Sequence, residues 1–246
     1  MKILFSPSES KTPGGELKNL DDKAFLFSNL YDKRLYVLNL YNEFIKTASK
    51  DEVSKLFGLK KDFDIQKYTE DIFLKPVMKA VLRYDGVAYD YLKYRSLTQI
   101  PKEFIDENVI IFSNLYGPIL AKDEVVDYKL KQGENIPGFI FDKFYKDNFS
   151  LALDEYLQDE DILDLRAGFY DKFYEIKKPY LTLKFKKDSK VVSHWAKAYR
   201  GIVLRSVALN SVSTIKDFYD LNIDGLKVCS IIRKGLKSEI VFDITT

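Results

Sequence analysis

The chain has 246 residues, 46% hydrophobic, 31% charged and 15% aromatic, with 39 Lys and Arg against 37 Asp and Glu. That aromatic content and near-neutral balance exclude a disordered chain, and the length suffices for one large domain or two small ones. A single cysteine, Cys229, and a single histidine, His194, exclude an intramolecular disulfide, a CxxC or HExxH metal site and any centre needing two imidazoles.

The first apolar run, Ile3-Leu4-Phe5, has strand character and is too short for the core of a signal peptide. No run of about 18 uncharged apolar residues occurs anywhere, so a cytoplasmic protein without membrane spans is expected. The loop that follows, residues 6–15, is rich in hydroxyls and carries Glu9 and Lys11. Loops at strand carboxyl ends are where α/β folds hold ligands. Residues 21–48 place Phe25, Leu26, Leu30, Leu35, Leu38 and Ile45 at helical steps.

Pro76 suits the first turn of a helix, Asp85-Gly86 a tight turn, and 87–92 a short second helix. Helix, glycine turn, helix is an arrangement that offers backbone N–H groups to DNA phosphates without reading bases, and it is also the shape of many αα-corners. Further on, 109–112 reads as a strand ending in Asn114-Leu115-Tyr116-Gly117-Pro118, and Phe139, Phe144 and Phe149 mark a helix. Asp164-Leu165-Arg166-Ala167-Gly168-Phe169-Tyr170 closes another extended stretch. Strands at 181–185 and 190–192, a helix at 194–209 and a terminal hairpin of 226–232 with 239–244 complete the chain. Strands interleaved with helices, without linkers or repeats, predict one mixed α/β (α+β) domain over 1–246, a central mixed sheet with helices around it. Neither GxGxxG nor GxxxxGK[ST] is present.

Near-neutrality hides a local excess. Residues 176–206 hold nine bases, Lys177, Lys178, Lys184, Lys186, Lys187, Lys190, Lys197, Arg200 and Arg205, against one acid, Asp188, while the rest of the chain has 30 bases and 36 acids. Such a ribbon either meets phosphates or is a solvated hairpin. In the helix that follows, His194, Lys197, Gly201 and Arg205 share about 80° of a mostly apolar circumference. A stripe like that should line a wet cleft or meet acids, with Gly201 letting something approach the backbone and Ser193 capping the first turn.

A second reading gathers the polar residues at turns. Ser6, Ser8, Glu9, Lys11, Tyr89, Tyr116, Arg166, Ser193 and His194 are candidates for one pocket around a small anionic ligand. His194 would be its acid–base group and Lys197 or Arg166 its charge-holder. Replacing His194 by Gln would abolish catalysis and barely change phosphate binding. No GxSxG elbow is present and a Ser-His-Asp triad is not supported. One His, one Cys and scattered acids make a poor iron site, and no metal or cofactor is expected.

Five stretches, Ser6-Pro7-Ser8-Glu9-Ser10-Lys11, Tyr84-Asp85-Gly86-Val87-Ala88-Tyr89, Leu115-Tyr116-Gly117, the segment from Asp164 to Tyr170, and Ser193-His194-Trp195-Ala196-Lys197-Ala198-Tyr199-Arg200-Gly201, occur together in order. In that order and approximate spacing they resemble the YaaA peroxide-stress protein family over nearly the whole chain. The resemblance implies one α/β domain of unusual fold and a cytoplasmic bacterial protein that protects against hydrogen peroxide. It also implies binding of double-stranded DNA. With the basic ribbon this makes a non-enzymatic, sequence-nonspecific DNA binder, acting as a monomer, the leading expectation, with the pocket reading as its rival. A helix-hairpin-helix element would supply Arg83, Asp85 and Gly86, and a basic cleft would take Lys11, Lys197, Arg200 and Arg205 with the lysine ribbon. The Glu9 of the opening motif and His194-Trp195 resemble one branch of that family, whereas Ala196 and Arg200-Gly201 resemble the other, from which the DNA expectation comes.

Overall fold

The computed structural model describes residues 1–18, 20, 25–187, 190, 191 and 193–245, without the side chains at 190, 191, 193 and 194. Strand β1 (Lys2–Phe5) opens the chain and β2 (Ser10–Lys11) follows its loop. Helices α1 (Tyr31–Thr47), α2 (Lys50–Phe57) and α3 (Asp62–Gln66) come next. Then follow β3 (Val77–Lys79), the single turn α4 (Ala80–Arg83), β4 (Tyr84–Asp85), α5 (Val87–Leu92) and α6 (Gln99–Asn108). Strands β5 (Val109–Ser113), β6 (Gly117–Leu120) and β7 (Glu124–Val126) lead to α7 (Phe141–Leu157) and β8 (Ile162–Asp164). The last elements are β9 (Tyr180–Lys187), β10 (Lys190–Val191), α8 (Ser193–Leu209), α9 (Ile215–Tyr219), β11 (Leu226–Lys234) and β12 (Lys237–Ile244).

Among the described residues eight strands form one mixed sheet in the order β11-β12-β9-β8-β1-β5-β6, with β10 added to β9. The inner five, β12, β9, β8, β1 and β5, run parallel, and β11, β6 and β10 are antiparallel to their neighbours. Strand β5 is buried at every residue and β1 at three of four. Parallel strands covered on both faces read as unbroken apolar runs rather than as alternation. Parallelism has one consequence for function. Leu4 lies opposite Asp164 and Phe5 opposite Ile111, so the loops leaving β1, β8 and β5 emerge side by side.

The helix expected from Pro76 is reduced to the single turn α4. Val77, Met78 and Lys79 pair with Val126, Val125 and Glu124 as β3 on β7, because an apolar partner strand outweighs a weak helical preference. The turn at Asp85-Gly86 is closed as well, since Ser10 pairs with Asp85 and Lys11 with Tyr84. Gly86 sits at φ 134, and a Cβ there would come within 2.8 Å of the Ser8 hydroxyl. Its backbone therefore faces the loop after β1. Helices α7 and α8 fall where their periodicity put them, while 21–24 lies outside the described residues and α1 begins at Tyr31. No described helix is long and apolar enough to cross a membrane.

Candidate functional site

Ser6, the first residue beyond β1, joins three elements. Its hydroxyl accepts a hydrogen bond from the Ala167 N–H at 2.8 Å, and its carbonyl accepts one from the Tyr89 hydroxyl at 2.9 Å. Tyr89 in turn stands edge-on to Phe5, with ring centroids 5.6 Å apart. One carboxylate oxygen of Glu9 accepts from the Gln132 N–H at 3.0 Å, which ties the same loop to the segment after β7. These links leave a cavity of about 430 Å³ at the carboxyl ends of β1 and β8. Residues 5–10 and 86–89, Gln132, Leu165, Ala167, Tyr170, Lys197 and Arg200 line it.

Lys197 and Arg200 reach the cavity from α8. That helix is held against α5 by Gly201, where a Cβ would lie 2.0 Å from the Ala88 carbonyl oxygen. What approaches the Gly201 backbone is thus helix α5, and the polar stripe is only in part a wet face. Arg205, one turn on, donates to the carbonyls of Leu92 and Lys93 at 3.0 and 3.2 Å and caps the end of α5. Arg200 is different. It is half-buried, and among the described residues it donates no hydrogen bond and closes no ion pair. Burial pushes its guanidinium below the ordinary value, with the charges of Asp164 and Asp171 acting the other way. Arg200 also lines a second cavity, of about 570 Å³, walled by Asp164, Arg166, Asp171, Thr182, Lys234, Lys237 and Glu239 among others.

The other expected phosphate contacts are scattered or engaged. Arg83 is fully buried, and its guanidinium donates to the carbonyls of Thr12, Gly14, Pro76 and Val125 at 2.5–3.2 Å. Lys178 caps the end of α7 on the carbonyls of Leu157, Gln158 and Glu160, and Lys177 pairs with Asp154 at 3.3 Å. Lys184 lies 3.9 Å from Glu239, and Lys186 stands opposite Asp243 in the sheet register. Lys187 lies over the Trp195 ring at 5.8 Å. The Lys190, Ser193 and His194 side chains are outside the described residues, although their backbones belong to β10 and α8.

Of the expected pocket residues, Ser6, Ser8, Glu9 and Tyr89 meet in the cavity, whereas Lys11 and Tyr116 do not line it and Arg166 lines the second cavity. Arg166 is held by Asp164 in a two-pronged pair, both contacts 2.9 Å, and donates to the carbonyls of Tyr170 and Tyr174. It fixes the loop after β8. Lys11 places its ammonium 3.8 Å from the centre of the Tyr128 ring, and burial pushes its pKa down from 10.5 to about 7. The Tyr128 hydroxyl bonds to Tyr84, Ser113 and Asn114 at 2.9–3.0 Å, and the buried Tyr116 ring meets its ring edge-on, with centroids 5.7 Å apart. Four of the five motifs therefore meet in one recess, and the Leu115-Tyr116-Gly117 turn does not line it.

Asp164, Tyr170, Gln132 and Lys234 were not singled out as site residues. Asp164 and Tyr170 sit inside a motif and could have been weighed with Arg166, whereas Gln132 and Lys234 reach the cavities only through tertiary folding. Among the described residues no three His, Cys, Asp or Glu side chains gather as a metal site.

A family model described as peroxide stress protein YaaA matches residues 1–231. A Campylobacter jejuni protein, itself described as uncharacterized, is 48% identical over 244 residues, 99% of each chain. A UPF0246 protein of Corynebacterium efficiens is 30% identical over 217 residues, 85% of each chain. Another, from Malacoplasma penetrans, is 29% identical over 243 residues, 92% of this chain and 93% of its own. With residues 1–231 inside that model and a near full-length relative at 48% identity, the chain belongs to the YaaA family of peroxide stress proteins.

Proposed function

We propose that this peroxide-stress family protein binds a small anionic molecule in the cavity beyond β1 and β8, with the negative group seated on Arg200 and Lys197. The observation that carries the reading is the half-buried Arg200, which has neither a carbonyl nor a carboxylate for its donors among the described residues. Withdrawing a guanidinium from water without a partner is costly, and the cost is recovered when a ligand supplies an oxyanion in fork geometry. The contrast with Arg34, Arg83 and Arg166, each bound to several backbone carbonyls, makes a purely structural role for Arg200 a poor fit.

Size supports the same reading. A recess of about 430 Å³ falls in the range of about 300–1,000 Å³ usual for small-molecule sites. Duplex DNA would need a broad basic face, and the bases of 177–187 and Arg205 are divided among helix ends, facing acids and a tryptophan ring. The test is calorimetric titration with inorganic pyrophosphate, with and without competing duplex. The expected outcome is saturable binding weakened about tenfold or more by Arg200→Gln, the value of one charge-assisted hydrogen bond. Binding that Arg200→Gln leaves unchanged, or that duplex displaces with a steep salt dependence, rejects it.

A further inference from the structure

Arg200 is shared by two cavities, and the second has a charge pattern of its own. Each of its four acids has a basic neighbour, although two of them share one arginine. Asp164 forks onto Arg166, Asp171 lies 3.7 Å from the same guanidinium, Glu175 is 3.7 Å from Lys146, and Glu239 is 2.9 Å from Lys237. Two cations on this wall have no acidic partner among the described residues, Arg200 at the junction and Lys234 at the end of β11. The first cavity carries the rings of Phe5, Tyr89 and Tyr170 and the hydroxyls of Ser6, Ser8 and Ser10, and its one acid, Glu9, accepts the Gln132 N–H and is offset by Lys197. One side is therefore suited to a flat ring, the junction to a first anion, and the far side to a second.

We propose that the two cavities form one bipartite site, bridged by Arg200, for a ring-bearing ligand with at least two linked anionic groups, the chemistry of a nucleoside diphosphate. This rests on the anion-binding reading of Arg200 and adds to it the second cavity, Lys234 and the ring. A ring in the first cavity excludes water from the first anion's contact with Arg200, and the second anion passes the guanidinium toward Lys234. The paired groups carry one more acid than base, and Arg200 and Lys234 outweigh it, so the lining of the second cavity is net positive by one charge.

The experiment titrates the full-length protein with nucleosides, nucleoside monophosphates and nucleoside diphosphates of all four ribonucleotide bases, and with inorganic pyrophosphate. For at least one base, affinity should rise from nucleoside to monophosphate and again by about tenfold to diphosphate, about one charge-assisted contact. Lys234→Gln should remove most of that last step and leave monophosphate binding as it was, whereas Arg200→Gln should weaken both phosphates. A diphosphate no tighter than its monophosphate, a final step unmoved by Lys234→Gln, or nucleotides no tighter than pyrophosphate each overturns the bipartite site. If pyrophosphate still binds through Arg200 in those cases, the simpler anion cavity stands. If pyrophosphate binding ignores Arg200, both fall.

Discussion

Arginines in this chain occupy two kinds of place, and the sequence does not separate them. Arg34 donates to Phe27, Tyr116 and Pro118, Arg83 to four carbonyls, and Arg166 to two carbonyls and Asp164, all at the protein's interior. Arg200 has no such set among the described residues. Whether carbonyls converge on a guanidinium depends on loops far away in the chain, which is why Arg83 could be read as a DNA contact. Arg83→Met should cost roughly 3–5 kcal/mol, because it strands buried carbonyls. Arg200→Gln should leave the urea midpoint unchanged or raised. Equal losses in the two variants would mean that Arg200 is structural after all. Asp123 adds a pH dependence. Burial raises its carboxyl from 3.8 to about 6, against hydrogen bonds from the Leu26 and Leu120 N–H groups. Between those two values the folded protein keeps a proton that the unfolded chain has released, so stability falls as pH rises through that window. Relative to Asp123→Asn, the wild type should lose stability from about pH 4 to about pH 6 and run parallel to it above, as urea unfolding across the range would record. Curves parallel throughout would remove the burial argument.

Helices α7 and α8 were legible because a 3.6-residue apolar period survives wherever one side of a helix packs on a core. The runs of β1 and β5 and the terminal hairpin were legible for a similar reason, as apolar stretches bounded by turn residues. Short elements were not. β3 exists because β7 lies beside it, and β2 and β4 exist because each is the other's partner. Two-residue strands carry no period to read. Gly201 shows the same limit from another side. Its place in a polar stripe suggested an approaching ligand, yet the approaching atom is the carbonyl oxygen of Ala88. Since α5 and α8 form adjoining walls of the cavity, Gly201→Ala should destabilise the fold by about 3 kcal/mol through overpacking and weaken pyrophosphate binding with it. A variant as stable as the wild type would show that the two helices slide freely, and the recess would lose its rigid walls.

Charge is where sequence and three-dimensional arrangement part most clearly at the scale of the whole molecule. The excess of bases in 176–206 is real, but it spreads along a strand facing the acids Glu239 and Asp243, over a helix end and across the α5–α8 contact. Of that set, among the described residues, Lys197 and Arg200 reach the recess. The parallel centre of the sheet does the gathering instead, because it delivers the loops after β1 and β8 to one edge. That order of strands is not written in any local pattern, although the motifs themselves are. The decisive measurement compares pyrophosphate affinity in four proteins, the wild type, Arg200→Gln, Arg205→Gln and Lys186→Gln. A specific recess requires loss of about tenfold or more in Arg200→Gln alone, with the other two within about twofold of the wild type. Similar losses in all three variants would mean that a diffuse basic surface, not a cavity, attracts the anion.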